Sequence, residues 1–350
     1  MKALVKYANG KKCCKLKEVP RPVTGPQDAL IEVKACGICG TDVHTYYDPL
    51  FLLRVPVVLG HEFSGVVTEI GRDVNQYREG DRVVAETSAY VCNNCVYCNR
   101  GDYNLCRHRL GLGYGADGAI AEYVKVPARA LHKIPQSLSF EKAALVEPAC
   151  VAYHALIDNS TIGKGDLAVV IGPGTIGLLC VQILKRIQNV DTVVLMGKRK
   201  HIERLELARR LGANAVIGGD SRNHREKIMS FCDGQGAHLV VDAVGSAETL
   251  RCAMEIVRPK GQITKIGWGN GPLDFSIDSV IVKEIRLQGS FSHTPRCWAP
   301  VIDMIAKGII DVTPFVKETY DITKWRSAFS KMKSGTIIKA IIVPSEAKRT

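Results

Sequence analysis

The chain has 350 residues, 46% of them hydrophobic and 23% charged, which excludes a disordered or low-complexity polymer and exceeds what one hydrophobic core usually holds. Its 47 Lys and Arg against 35 Asp and Glu leave a net charge of +12, yet these cations are dispersed and no nucleic-acid-binding motif accompanies them. The opening MKALVKYANGKKCCKLKEV has no continuous apolar h-region and no run of about 18 apolar residues follows, so a soluble cytoplasmic protein without membrane or nucleic-acid partners is expected.

In chain order, the first chemistry-bearing stretches are ACGICGTDVH at 35–44 and LGHEFSG at 59–65. Cys39, His61 and Glu62 are competent metal ligands, and Glu147 in VEPAC (146–150) adds a carboxylate from far along the chain. A mixed S, N and O set suits a catalytic zinc that keeps a position open for water or substrate.

Between them lies AYVCNNCVYCNRGDYNLC (89–106), which packs Cys92, Cys95, Cys98 and Cys106 into a polar, turn-rich lobe. Thirteen cysteines in a reducing compartment are expected as thiols or metal ligands rather than disulfides. The spacing lets one lobe place four thiolates at the corners of a tetrahedron, a closed site for a structural zinc; an iron–sulfur cluster is the rival occupant. Four thiolates leave no open position, so this metal would shape a loop and do no chemistry.

Next, the apolar run LAVVI (167–171) feeds into Gly172-Pro-Gly-Thr-Ile-Gly177 and then into a helical pattern over 178–187. Strand, Gly-x-Gly-x-x-Gly and helix make a dinucleotide fingerprint: Gly172 permits the tight turn, Gly174 lets backbone approach the pyrophosphate, and Gly177 allows close helix packing. The N–H groups of Thr175, Ile176 and Gly177 would face the anion. Further strand runs at 192–196, 215–217, 239–243, 262–266 and 285–288 alternate with helical patterns at 203–211, 222–231 and 248–257. That order predicts a doubly wound parallel sheet.

At the end of its second strand, where an NAD site normally offers Asp or Glu, stands Met196-Gly-Lys-Arg-Lys200. Lys198, Arg199 and Lys200 suit a 2′-phosphate, so this turn favours NADP over NAD. The tail 345–350 reads as a frayed terminus.

Together with GDRV at 80–83, these motifs resemble, in order and over nearly the whole chain, the zinc-dependent medium-chain dehydrogenase/reductase superfamily, and in particular its polyol (sorbitol and arabitol-phosphate) dehydrogenase-like branch. The resemblance implies an α/β protein with a GroES-like β-rich catalytic domain (1–153, returning at 293–350) and a doubly wound Rossmann coenzyme domain (154–292), the active site lying in the cleft between them. It implies two Zn2+ per chain. One is catalytic, on Cys39, His61 and a glutamate, with Glu62 and Glu147 both at the metal; the other is structural, in the lobe 89–109. Thr41 would touch the substrate oxygen, His44 would pass the proton to solvent, and Gly245 and Ile266 would join the glycine motif and Lys198 and Arg199 in holding the dinucleotide.

The activity implied is hydride transfer between a secondary alcohol of a polyol or sugar alcohol and NADP or NAD, by a homo-oligomer of two or four chains. The stretches ETSAYVC (86–92), VEPAC (146–150) and GSFSH (289–293) carry the polyol likeness, and Arg296 is a candidate for a substrate phosphate. L-threonine 3-dehydrogenase or another alcohol dehydrogenase activity is the alternative within this chemistry. Outside it stand a non-enzymatic zinc protein that binds nucleic acid and an inactive NADPH-binding regulator; the latter would be expected to lack a metal ligand or Thr41, and neither is missing.

Overall fold

A computed structural model describes residues 1–48, 54–219, 223–269 and 271–344. These residues form two compact units, one built from Met1–Pro148, Thr294–Gly308 and the chain from Val312 on, the other from Ala149–His293 and Ile309–Asp311. The first boundary falls inside the helix Val146–Tyr153, five residues before the position expected from sequence. Residues 309–311 belong to the second unit for a visible reason. Asp311 N–H donates to Gln182 Oε1 at 2.7 Å, Gln182 Nε2 to Asp311 O at 3.1 Å, and Arg186 to Ile309 O at 3.0 Å.

The first unit is mainly antiparallel β structure. Its larger sheet runs Leu131–Lys133, Arg82–Ala85, Glu62–Ile70, Asp28–Gly37, Ile341–Val343 and Thr319–Asp321, with Tyr123–Pro127 also on Asp28–Gly37. A smaller sheet sets Lys2–Lys6 between Cys14–Glu18 and Val57–Val58. Alternating residues such as Ile31, Val33, Phe63 and Val67 bury one face with Trp325 and Phe329, as a one-sided antiparallel sheet requires. In the central pairing Cys36 faces Phe63 and Gly37 faces Glu62. That register brings Cys39, two residues past one strand end, to the same end as His61, one residue before the partner strand. Gly37 is required there because a Cβ would collide with the Glu62 carboxylate.

The second unit holds a six-stranded, all-parallel sheet. In chain order its strands are Leu167–Ile171, Thr192–Gly197, Ala215–Gly218, Ala237–Asp242, Val257–Lys265 and Arg286–Gly289, and in space they run third, second, first, fourth, fifth, sixth. This is the nucleotide-binding order, with its switch point between the first and fourth strands. The helices Thr175–Arg186, Ile202–Arg210, His224–Met229 and Ala247–Ile256 intervene as the apolar periods predict. Arg222, the start of one predicted helix, and the tail 345–350 lie outside the described residues. Leu167–Ile171 is buried along its whole length, which is why it reads as a continuous apolar run rather than an alternating one.

Candidate metal and dinucleotide sites

Two metal-competent clusters form in the first unit. In the lobe, the sulfurs of Cys92, Cys95, Cys98 and Cys106 all lie within 4.8 Å of one another. Zn–S bonds of about 2.3 Å put tetrahedral sulfurs roughly 3.8 Å apart. The Cys92–Cys98 and Cys92–Cys106 separations are 3.9 and 3.6 Å, so the thiols already stand at the edge length such an ion needs. Local structure explains the convergence. The pair of strands Ser88–Tyr90 and Leu110–Gly111 closes the base, and Cys95 caps the short helix Val96–Arg100, its Sγ accepting from Cys98 N–H at 3.5 Å.

Electrostatically Cys92 and Cys98 are pushed in opposite directions. Cys92 is lowered to about 6, first by the Asn94 backbone N–H, whereas burial pushes Cys98 up to about 12. All thirteen cysteines are free thiols.

The second cluster joins one donor atom each from Cys39, His61 and Glu62, again within 4.8 Å. Cys39 is the N-cap of the helix Gly40–Tyr47, and its N–H donates to Asp42 Oδ2 at 2.9 Å. Asp42 is itself buried. Its Oδ1 accepts from Gly60 N–H at 3.1 Å and lies 3.9 Å from His61 Nδ1, so one carboxylate fixes both segments that carry ligands. Gly60 has a φ of +94° and its Cβ position is filled by Ile120 and the Cys36 sulfur, so no other residue turns the chain into His61 at this point.

Glu62 is fully enclosed and forms a buried ion pair with Lys339, whose Nζ also donates to Ile38 O at 3.0 Å. Burial raises Glu62, and Lys339 opposes that rise. Burial would lower His61, but Asp42 and Cys39 outweigh it and hold the imidazole well above its ordinary value. A site whose neutral base is driven to take a proton is one in which anions outnumber cations. The donor set and this negative field both fit a divalent ion, and the buried His61 Nδ1 has no hydrogen-bond partner within range.

Glu147 is buried and adds its charge to His61, Glu62 and Lys339, but its carboxylate is not part of the close three-residue cluster. Lys339→Met is expected to lower stability by about 3–5 kcal/mol, because it strands a buried carboxylate. Urea unfolding of wild type and variant checks this, and a loss below about 1 kcal/mol would show that Glu62 does not depend on Lys339.

Thr41 and His44 share the helix Gly40–Tyr47 with the Cys39 cap. Thr41 Oγ1 lies 3.6 Å from Cys39 Sγ, and His44, one turn on, is exposed. Partial burial, then the Lys333 charge, lowers His44 against the opposing pull of Asp48. Arg296, a candidate for a substrate phosphate, is largely exposed and lies 3.3 Å from Asp102 of the cysteine lobe.

The glycine motif of the second unit has the geometry of an anion cradle. Gly172 sits at φ +111°, a Cβ on Gly177 would strike the Gly172 carbonyl, and Gly174, the N-cap, leaves open space where a side chain would stand. Thr175, Ile176 and Gly177 form the first turn of the helix, the end at which backbone N–H groups favour an anion. At the neighbouring strand end Lys198, Arg199 and Lys200 are exposed, and Lys198 Nζ is 3.9 Å from Glu248. His201 beside them is lowered by burial and then by Arg204, Lys200 and Lys198, the mark of a crowded positive corner. Gly245 follows the fourth strand at φ +89° with Gly267 against its Cβ position, and Ile266, after the fifth strand, is buried.

Sequence reading missed Asp42 and Lys339. Asp42 carries a signal, an acid three residues after a helix cap. Lys339 carries another, a single lysine inside the apolar run TIIKAIIV at 336–343.

Residues 25–136 match the alcohol dehydrogenase GroES-like domain family and residues 175–307 the zinc-binding dehydrogenase family. The chain is 37% identical to a sorbitol dehydrogenase of Halalkalibacterium halodurans over 98% of its length and 99% of that protein's. It is 36% identical to a D-arabitol-phosphate dehydrogenase of Enterococcus avium, covering 98% and 97%. The solved alcohol dehydrogenase TADH of Thermus sp. ATN1 superposes with a TM-score of 0.88 at 31% identity, covering 98% of this chain and 99% of that one.

Proposed function

From a chain that belongs to the zinc-dependent medium-chain dehydrogenase family, a GroES-like domain joined to a zinc-binding Rossmann dehydrogenase domain, we propose an oxidoreductase that moves hydride between a polyol and a nicotinamide. Its substrate is a secondary alcohol of a sugar alcohol, free or phosphorylated. The observation that carries this reading is the convergence of Cys39, His61 and Glu62 on one buried, anion-rich point. The likeness to two polyol dehydrogenases supports the substrate class.

Cys39, His61 and Glu62 are the residues to hold the catalytic zinc, with Glu147 close enough to add charge, and Cys92, Cys95, Cys98 and Cys106 those to hold the structural one. When bound, the first ion supplies Lewis acidity that lowers the pKa of an alcohol oxygen. The other duties fall to the chain's own groups. Asp42 fixes the backbone at Cys39 and at Gly60, the residue before His61, and sets a negative charge beside the imidazole. The Thr41 hydroxyl, beside Cys39, takes the alcohol proton into a hydrogen bond. His44 stands where the helix meets solvent, and its lowered pKa keeps it neutral near pH 7, ready to accept that proton and release it outward. Gly172, Gly174 and Gly177 admit the pyrophosphate, and Gly245 and Ile266 extend that surface.

The cationic turn supports NADP over NAD. Replacing Lys198, Arg199 and Lys200 with neutral residues is expected to raise KM for NADP on the order of ten-fold more than KM for NAD. Steady-state kinetics with both dinucleotides check this; equal changes would mean that the turn does not read the 2′-phosphate.

The decisive test of the whole reading has two parts. Elemental analysis of purified protein is expected to give two zinc atoms per chain. Assays by reduced-nicotinamide absorbance across pentitols, hexitols, their phosphates and L-threonine, with NAD and with NADP, are expected to give turnover with a polyol. Turnover with L-threonine alone would move the substrate class, and iron or no transition metal would remove the chemistry proposed.

A further inference from the structure

Lys6 ends the first β-strand and is fully buried. An ammonium group in that position is costly unless every donor finds a partner. Its Nζ donates to Thr45 O at 3.0 Å and to Gly10 O.

Thr45 lies in the last turn of the helix Gly40–Tyr47, the helix that carries Thr41 and His44. The last four carbonyls of any α-helix lack intrahelical donors. Here His44 O accepts from Asp48 N–H at 2.6 Å, Thr45 O from Lys6, and Tyr46 O from Lys12 N–H at 2.6 Å. Two of these three donors come from the N-terminal hairpin formed by Lys2–Lys6 and Cys14–Glu18 with the turn between them. The hairpin grips the end of the helix, and Lys6 is its buried, charged contact. A cation at a helix C-terminus also complements the negative end of the helix dipole.

Only two turns long, the helix is fixed at its other end by Asp42, through Cys39 N–H and Gly60 N–H. With both ends held, the angle at which it presents Thr41 and His44 is set. An apolar side chain at position 6 would fill space as well but leave the Thr45 carbonyl without that donor. We infer that Lys6 is a positioning residue for proton transfer, holding the helix so that Thr41 and His44 stay aligned with the metal-binding end. The inference rests on the reading of Thr41 and His44 as the proton path.

The test compares Lys6→Met and His44→Gln with wild type in the zinc-loaded enzyme, at rising imidazole buffer concentration and constant ionic strength. If His44 relays the proton, His44→Gln turnover becomes dependent on buffer, an external base replacing the missing one. Lys6→Met is then expected to lose kcat on the order of ten-fold, to recover part of it with imidazole, and to keep its dinucleotide KM. Amide exchange over Thr45–Asp48 is expected to accelerate in the same variant. Should Lys6→Met not fold, Lys6→Gln, which keeps two N–H donors without the charge, is measured the same way. Buffer rescue of His44→Gln without any rescue of the Lys6 variant overturns the inference while leaving the relay standing. Absence of rescue in His44→Gln overturns the relay, and the role of Lys6 with it.

Discussion

Cys39→Ser is expected to lower kcat by about a thousand-fold or more while the protein stays folded. The size follows from what the thiolate supplies. Lewis-acid stabilisation by a bound metal is worth several kcal/mol, and each ~1.4 kcal/mol is a factor of ten in rate, so loss of about 4 kcal/mol gives three orders of magnitude. The fold should survive because Cys39 is a helix N-cap, half-exposed, and serine is among the preferred residues there. Asp42 would still accept the N–H of residue 39, so the helix Gly40–Tyr47 keeps its start. Zinc per chain is expected to fall from two to one, with a thermal midpoint within a few degrees of wild type. Retained turnover at one zinc per chain would remove Cys39 from the catalytic set. A collapse of the thermal midpoint would instead make the residue structural.

The sequence carried most of this architecture because its signals were of the kinds that need no tertiary knowledge. The buried run at 167–171 could only be an interior strand once glycines and a helical period followed it, and the strand is seen at those residues. Tight cysteine spacing in a polar lobe likewise left few uses for four thiols. What stayed illegible depends on distant partners. Nothing near Lys339 in the chain announces Glu62, 277 positions away, and nothing near Asp102 announces Arg296, 194 positions away. Domain limits were blurred for a similar reason: the helix Val146–Tyr153 runs through the boundary, and periodicity within a helix does not mark which unit its residues join.

Lys6 belongs with the illegible group. In MKALVKYANG it reads as one more dispersed cation, and only the pairing of Lys6 with Cys14 on one side and Val57 on the other encloses it. Buried cations recur in the first unit, Lys6 on the Thr45 carbonyl and Lys339 on Glu62, and each secures a segment that bears a candidate ligand or proton carrier. The net charge of +12 therefore does not describe the surface alone. Two of its contributors sit inside, where position rather than solubility explains them.

Cys98→Ser is expected to act on stability first and on chemistry hardly at all. The lobe has almost no core of its own: Val91, Cys98 and Cys106 are its buried apolar residues, with Cys92, Cys95 and Tyr103 packed beside them. Tyr90, Val96, Leu105 and Leu110 remain exposed around it, so little apolar burial is left to hold the loop if the metal is lost. A metal held there would stand in for a core, and its binding free energy would be folding free energy, about 10–16 kcal/mol in isolated structural zinc sites. A serine hydroxyl cannot replace the Cys98 thiolate, so the lobe should open, the thermal midpoint should fall by roughly 10 °C or more, and zinc should drop from two to one per chain. Turnover per folded molecule should stay within about two-fold of wild type, because Cys39, His61 and Glu62 are untouched. The same lobe should release metal as pH falls, since protons compete for the four sulfurs, and Cys98, pushed up to about 12 by burial, regains its proton more readily than Cys92. Differential scanning fluorimetry, zinc analysis and kinetics on one preparation decide the matter. A variant with wild-type melting and lowered kcat would show that the four-cysteine site takes part in the reaction.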